Sequence, residues 1–259
     1  MIDIQYIAAG ALTGLVVGLT GVGGGALMTP ILLLFFGVPP TTAIATDLWF
    51  ASLTKIAGAF IHHQSGQVDW QVVKRLWAGS LPMAFGIVAL VNCGVIITKL
   101  DWLTKAIGLL IIVTALGLLL APKLTWIATR RRITNPYQFR ALQPVLTVVS
   151  GAFLGLCVSL TSVGAGALGS LLLLYLYPLR MNPHKLIATD MVHAIPLALV
   201  AGTGYLIAGK VDGLTLLNLL LGSVPMVIIG SHLTKQFTGR TLQLILGCIL
   251  LLVALKLIT

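Results

Sequence analysis

The stretch Thr20–Pro30, TGVGGGALMTP, decides how the rest of the chain is interpreted. It lies between two apolar runs, AAGALTGLVVGL before it and ILLLFFGV after it, and four of the five residues from Gly21 to Gly25 are glycine. Glycine inside an apolar segment costs backbone entropy and buries no side chain. The cluster therefore indicates a break between two hydrophobic helices.

The composition is that of a polytopic, all-α membrane protein. Of the 259 residues, 58% are hydrophobic and only 8% are charged, and the mean hydropathy is +1.06. Soluble domains carry about 25% charged residues. In a soluble protein the net charge of +10 would suggest a nucleic-acid partner. Here we expect the basic residues to lie in loops and fix the topology, so we predict no nucleic-acid partner.

Ten apolar segments can be distinguished. They are 4–20, 24–37, 41–61, 76–97, 102–121, 143–160, 166–179, 186–208, 214–232 and 241–258. Segments 24–37 and 166–179 would form helices of about 21 Å, against a hydrocarbon thickness of about 30 Å. These two are too short to cross a membrane easily alone, and we expect half-helices or re-entrant arms.

The chain contains an internal repeat. Residues 10–27, GALTGLVVGLTGVGGGAL, match residues 151–168, GAFLGLCVSLTSVGAGAL, at 12 of 18 positions. Three further motifs recur after this match. A-T-D occupies 45–47 and 188–190, G-x-V-D occupies 66–69 and 209–212, and G-S-x-P occupies 79–82 and 222–225. We therefore predict an N-terminal repeat (1–121), a basic cytoplasmic linker (122–142) and a C-terminal repeat (143–259), each repeat with about five apolar segments.

The two repeats are predicted to have opposite orientations in the membrane. If the ten segments alternate with the linker inside, eleven basic residues lie in inner loops and four on the outer side. Both termini then face outward from the cytoplasmic membrane. Five segments per repeat is an odd number, and it stays odd if the short pairs re-enter, so the sequence predicts inverted-topology repeats.

The glycine breaks are candidate anion sites. A helix N-terminus presents unpaired N–H groups and a partial positive charge, and glycine lets a ligand approach them closely. Candidate substrate-binding residues are Thr20, Gly21, Gly23, Gly24 and Gly25 in the first repeat and Thr161, Ser162, Gly164 and Gly166 in the second. The alternative is close helix packing, to which we assign the upstream glycines Gly10, Gly14, Gly18, Gly151 and Gly155.

Four ionisable residues within apolar segments are further candidates. Asp47 and Asp190 occupy equivalent positions and would be polar anchors or proton carriers. Lys55, two turns after Asp47, would attract an anion or form an ion pair. His193 would either bond to Asp190 as a neutral side chain or relay a proton. Neither cysteines nor histidines show metal-ligand spacing, and we predict no metal, no cofactor and no enzymatic activity.

The glycine pattern from Gly10 to Pro30, its echo SLTSVGAGALGS in the second half, and the repeated A-T-D resemble the TauE/SafE family, also called the sulfite exporter or TSUP family. The second copy departs from the first: Ser162, Ala165 and Leu171 stand at the positions of Gly21, Gly24 and Pro30. The resemblance implies transport, usually export, of sulfur-containing anions such as sulfite or organosulfonates across the bacterial cytoplasmic membrane. The residues themselves indicate an anion, without specifying sulfur.

The expected function is therefore secondary transport of a small anion. The anion would bind near the membrane midplane at the two breaks, with alternating access and a coupled proton or other ion. Its other partner is the lipid bilayer. The alternative is a passive anion channel with the same pore.

Overall fold

The computed structural model describes residues 2–20, 25–62, 68–94, 100–134, 136–164, 166–233 and 239–258. These residues form α-helices and no strand. The helices are α1 Ile4–Thr20, α2 Gly25–Leu34, α3 Pro40–His62, α4 Trp70–Asn92, α5 Leu100–Thr134, α6 Pro136–Thr161, α7 Ala167–Leu176, α8 Pro183–Ile207, α9 Gly213–Leu233 and α10 Gly239–Ile258.

The ten helices coincide with the ten apolar segments, which confirms the all-α prediction. The two short segments are short helices: α2 and α7 have 10 residues each, or about 15 Å at 1.5 Å per residue. Among the described residues, five stretches are long and apolar enough to cross a membrane; they are Trp70–Asn92, Trp102–Ala121, Ala141–Thr161, Lys185–Ile207 and Gly213–Leu233. The chain is therefore a multi-pass membrane protein.

The basic region between the repeats is mainly helical. Helix α5 continues to Thr134 and α6 begins at Pro136. The stretch that we expected to be a linker therefore forms the C-terminal part of α5 and the N-terminal part of α6. No glycine lies between Gly117 and Gly151 to end a helix early. Proline fits the first position of a helix, where its missing N–H costs no hydrogen bond.

The upstream glycines pack helices from different repeats against each other. Helix α1 packs on α9, and the repeat-equivalent helix α6 packs on α4. A side chain at Gly14 would overlap the backbone of Ser223, and one at Gly155 would overlap the backbone of Ser80. Gly10, Gly18 and Gly151 make similar contacts with α9 or α4. The packing role predicted for these glycines is confirmed.

A connection between helices contacts the other repeat at each end of the molecule. At one end, Asp69, which precedes α4, contacts Arg180 from the connection between α7 and α8 and Lys185 from the first turn of α8. At the other end, the N–H of Asp212, which precedes α9, donates to the Thr46 hydroxyl in α3. Helices α3 and α8 therefore lie side by side with each N-terminal part near the other repeat.

Large apolar side chains cover the outside of the helix assembly. Examples are Leu109 on α5, Leu217 on α9 and Leu252 on α10, with 62%, 55% and 69% of their surface exposed. An apolar surface of this extent favours contact with lipid over water. The interior, in contrast, contains fully buried polar side chains on α3 and α8.

Candidate functional site: a buried polar centre at the helix breaks

The second break, between α6 and α7, has an irregular backbone. Ser162 has a φ of 59°, and Gly164 and Gly166 have φ values of 122° and 121°. Residues with a side chain rarely adopt such φ values. Glycine at positions 164 and 166 therefore permits a turn in which the backbone of most other residues would be strained. Gly166 precedes the first turn of α7 and gives it no side-chain cap.

Thr161 closes the end of α6. Its hydroxyl donates to the Cys157 carbonyl oxygen (2.7 Å) and accepts from the Val163 N–H (3.2 Å). Because the single hydroxyl proton is used by the backbone, Thr161 stabilises the break and has no spare donor for an anion here. The neighbouring Ser162 hydroxyl has no hydrogen-bond partner, although the residue is 2% exposed.

The first break lies largely outside the described residues. Gly21, Gly23 and Gly24 belong to that gap, and the side chain of Thr20 is also outside the described part. Helix α1 ends at Thr20 and α2 begins at Gly25. The predicted interruption itself lies outside the described residues, whereas the short helix expected after it is present as α2.

Asp47 ties the first short helix to α3. Its carboxylate accepts a hydrogen bond from the Thr29 hydroxyl of α2. Ser162 of the second break also faces this carboxylate, but Asp47 Oδ1 and Ser162 Oγ each lack a hydrogen-bond partner with good geometry. Asp47 therefore joins α2, α3 and the second break around one fully buried carboxylate.

Asp190 lies against the N-terminal turn of α7. The Gly166 N–H is directed toward its carboxylate, and a side chain at Gly169 would collide with Asp190 Oδ1. Neither carboxylate oxygen has a hydrogen-bond partner of good geometry, and the residue is 1% exposed. A carboxylate of the protein thus occupies the helix terminus at which we predicted an anion.

Lys55 is a buried cation that interacts electrostatically with both carboxylates. Its side chain is buried on α3 and is acted on by the charges of both Asp190 and Asp47. The equivalent position in the second repeat, taken from the A-T-D alignment, is Ala198. The two repeats therefore contribute two acidic groups but only one lysine to this buried centre.

His193 does not bond to Asp190, so that interpretation of the sequence is wrong. Its Nε2 lies 3.0 Å from the Ser80 hydroxyl of α4, and its Nδ1 has no partner. The Trp77 indole N–H donates to the His193 carbonyl oxygen. Residues three apart on a helix point about 60° away from each other, which directs His193 toward α4 while Asp190 faces α7.

Several contributing residues were missed at the sequence level. The threonines of the two A-T-D motifs, Thr46 and Thr189, accept hydrogen bonds from the backbone N–H groups of Asp212 and Asp69. Each motif of one repeat thus contacts the G-x-V-D motif of the other. The recurrence of A-T-D together with G-x-V-D in both repeats could have indicated this contact. Nothing in the sequence indicated that Thr29 contacts Asp47 or that Ser80 contacts His193.

An ion-pair cluster lies at the edge of the centre, where Asp69 precedes the spanning part of α4 and Lys185 begins that of α8. Arg180 and Lys185 lie 2.6 Å and 3.1 Å from Asp69 Oδ2, and Arg180 also contacts Gln71. Burial alone would raise the pKa of Asp69, but the hydrogen bond from Lys185 and the charge of Arg180 outweigh it and hold that pKa below its usual range. Asp69 therefore links the two repeats as a carboxylate.

The described residues contain no group of three His, Cys, Asp or Glu side chains suited to a metal ion. What they do contain is a buried centre of two carboxylates, one lysine, unpartnered hydroxyls and a helix N-terminus. Polar groups of this kind at membrane depth are typical of transporters with broken helices. Fold and centre together define a polytopic, all-helical membrane transporter.

The comparisons with known proteins agree with that class. The profile of the family described as "Sulfite exporter TauE/SafE" matches residues 6–257. The chain is 36% identical over 261 aligned positions to the "Probable membrane transporter protein YjnA" of Bacillus subtilis (strain 168), covering 99% of this chain and 100% of the relative. It is 25% identical to the "Probable membrane transporter protein YdhB" of the same organism, covering 86% and 87% of the two chains. No solved structure matches.

The chain belongs to the sulfite exporter TauE/SafE family. The resemblance noted from its glycine and A-T-D motifs is confirmed. As a member of a family of membrane transporters, it is not an enzyme.

Proposed function

We propose that the protein is a secondary transporter that exports a small sulfur-containing anion, such as sulfite or an organosulfonate. The observation that carries this proposal is the meeting of the second helix break with α3: Ser162 faces Asp47, and Lys55 lies in the field of both buried carboxylates. The family profile supports the substrate class by its description.

The anion would bind at the two breaks. In the second repeat, the Ser162 hydroxyl and the backbone N–H groups of Gly164, Gly166 and the first turn of α7 would hold it, with Thr161 fixing the backbone. In the first repeat, Thr20, Gly21, Gly23, Gly24 and Gly25 would play the corresponding part. Lys55 would supply the positive charge that a dehydrated anion requires in a low-dielectric interior.

The proposal includes inverted repeats, 1–121 and 143–259, joined by a basic cytoplasmic linker (122–142), with both termini outside. Two contacts support this topology. The alternating arrangement puts the α3–α4 and α7–α8 connections on one side, and Asp69 contacts Arg180 between them. It puts the α2–α3 and α8–α9 connections on the other, and Asp212 contacts Thr46 there.

Alternating access would not separate one complete repeat from the other. The closest helix contacts join α1 to α9 and α4 to α6, and each of these pairs combines both repeats. Backbones packed this closely through glycine are expected to move as rigid pairs. We therefore propose that the α1–α9 pair rocks against the α4–α6 pair, with the buried centre on α3 and α8 between them.

A binding screen tests the function. The purified protein is heated in detergent with sulfite, sulfate, thiosulfate or an alkylsulfonate, and a bound anion raises its melting temperature with concentration. We expect at least one sulfur oxyanion or sulfonate to do so, and chloride at equal ionic strength to have no effect. Gly24→Leu should remove the shift in a folded protein. Equal shifts in the wild type and Gly24→Leu would contradict the role of the break.

A further inference from the structure

The buried centre has an unequal number of acidic and basic groups. Asp47 and Asp190 are fully buried, and the lysine acting on both is Lys55. With all three groups ionised, the centre carries one net negative charge. A second negative charge added at the same depth would be strongly unfavourable, because isolated charge is poorly tolerated in a low-dielectric interior.

Asp190 also occupies the position that an anion would need. Its carboxylate faces the Gly166 N–H and the Gly169 backbone at the start of α7. Both oxygens lack well-formed hydrogen bonds even though the side chain is 1% exposed. The helix N-terminus is thus filled by an internal carboxylate whose oxygens lack well-formed hydrogen bonds to it.

We propose that one proton enters the buried centre with each negative charge of the transported anion. Asp190 accepts the first proton, and its carboxyl group then leaves the N-terminus of α7 to the anion. This inference rests on the proposed function. A monoanion bound with one proton leaves the net charge of the centre at minus one, as before binding. A dianion needs a second proton, for which Asp47 is the remaining carboxylate. Transport is then electroneutral.

The surroundings of Asp190 single it out as the first proton acceptor. From α3 it is acted on by the charge of Lys55, which Asp47 shares, whereas the start of α7 presents backbone at Gly166 and Gly169. On α8 itself, His193 turns away to Ser80 of α4. From α6 the buried titratable side chain is Cys157, which packs near Gly164. Asp47, unlike Asp190, already has the Thr29 hydroxyl as a donor.

The test measures anion flux into proteoliposomes at a series of imposed membrane potentials. Sulfite and methanesulfonate are the probes, and methanesulfonate keeps its single charge throughout the range. We expect wild-type flux to be independent of potential. We also expect methanesulfonate flux, measured below saturation, to rise as the pH falls from about 8 to about 5, by no more than tenfold per pH unit for one proton.

Two variants identify the proton acceptor. Asp190→Asn keeps the shape but cannot be protonated, so its methanesulfonate flux should become insensitive to pH and should respond to potential. His193→Gln should retain the wild-type pH dependence. Loss of that dependence in His193→Gln, with retention in Asp190→Asn, would overturn the assignment to Asp190.

If Asp190→Asn fails to fold, measurements on the wild type alone still test whether protons compensate the charge of the anion. Potential-driven, pH-independent flux of methanesulfonate or sulfite would overturn proton compensation and leave the proposed function standing. No flux and no binding of any sulfur oxyanion or sulfonate by folded wild-type protein would overturn the proposed function, and this inference with it.

Discussion

The Arg180 Nε atom lies 2.6 Å from Oδ2 of Asp69, and a second Arg180 nitrogen lies 2.8 Å from Asp69 Oδ1. This two-point contact links the connection between α7 and α8 to the residue that caps α4, where the Asp69 carboxylate accepts from the Val72 N–H. The equivalent cap of α9, Asp212, forms no ion pair in the described part of the chain. Among the described residues, ion pairs therefore stabilise the contact at Asp69, whereas the equivalent contact at Asp212 has none.

Replacing Asp69 should weaken that end. Asp69→Asn removes the negative charge and one acceptor oxygen and leaves Arg180 and Lys185 without their carboxylate. Because the two side chains are 39% and 29% exposed, solvent screens them, and we expect a loss of about 1–2 kcal/mol in the free energy of unfolding. Thermal unfolding in detergent measures it. Asp212→Asn makes the same change at a capping carboxylate that forms no ion pair in the described part of the chain, and asparagine keeps the helix cap in both variants. An equal loss in both variants would show that the ion pairs contribute nothing.

The same contact predicts a pH dependence of stability. The pKa of Asp69 is held below its usual value in the folded protein, so the folded state releases this proton more readily than the unfolded state. The stabilisation is present above the unfolded pKa of about 3.9 and is lost as the pH falls through the lower, folded value. We expect the difference in melting temperature between the wild type and Asp69→Asn to shrink in that acidic range. A difference that stays constant there would contradict this account.

The interface between α1 and α9 should not tolerate added side-chain volume. A β-carbon at Gly14 would lie 2.6 Å from the Ser223 Cα atom, which is too close for any relaxed contact. We expect Gly14→Ala to cost about 1–3 kcal/mol of stability through overpacking. Gly86→Ala, where the new group meets no atom within 4 Å, is the control and should be neutral or slightly stabilising. Equal melting temperatures for the two variants would contradict close packing of α1 on α9 at Gly14.

The two hydroxyl groups of the second break should behave differently. Ser162→Ala removes an unpartnered hydroxyl, so stability should stay near the wild-type value. Anion affinity should fall by about tenfold or more, because a hydrogen bond to a charged group contributes about 1.5–3 kcal/mol. Thr161→Val removes two backbone hydrogen bonds and should lower the melting temperature. Calorimetric titration and thermal unfolding measure the two effects; unchanged affinity in Ser162→Ala would remove that hydroxyl from the site.

Lys55 should be required for anion binding. Lys55→Gln keeps an unbranched polar side chain, one atom shorter, but leaves Asp47 and Asp190 without their shared cation. We expect at least about a tenfold loss of anion affinity, equivalent to about 1.4 kcal/mol. Lys210→Gln, in the connection between α8 and α9, is the control for a general loss of positive charge. Similar affinities in the two lysine variants would contradict a direct electrostatic role for Lys55.

Much of the fold could be predicted from the sequence, because hydrophobic length and glycine breaks are local signals. The short helices α2 and α7 followed from 14-residue apolar runs, and the packing of Gly14 and Gly155 followed from four-residue spacing. The direction of a buried side chain depends instead on how helices rotate against each other. That is why a bond from His193 to Asp190 could only be one of two alternatives and Ser80 was not foreseen, and why Arg180 and Asp69, 111 positions apart, were not paired at all.

The most direct test of the central claim is counterflow of sulfite in proteoliposomes that contain the purified protein. Vesicles loaded with unlabelled sulfite should take up labelled external sulfite transiently above equilibrium, and the initial rate should saturate with concentration, as expected for a carrier with alternating access. Gly24→Leu should abolish this uptake. Linear, potential-driven currents without counterflow would show a channel instead, and equal uptake by protein-free vesicles would contradict sulfite transport by this protein.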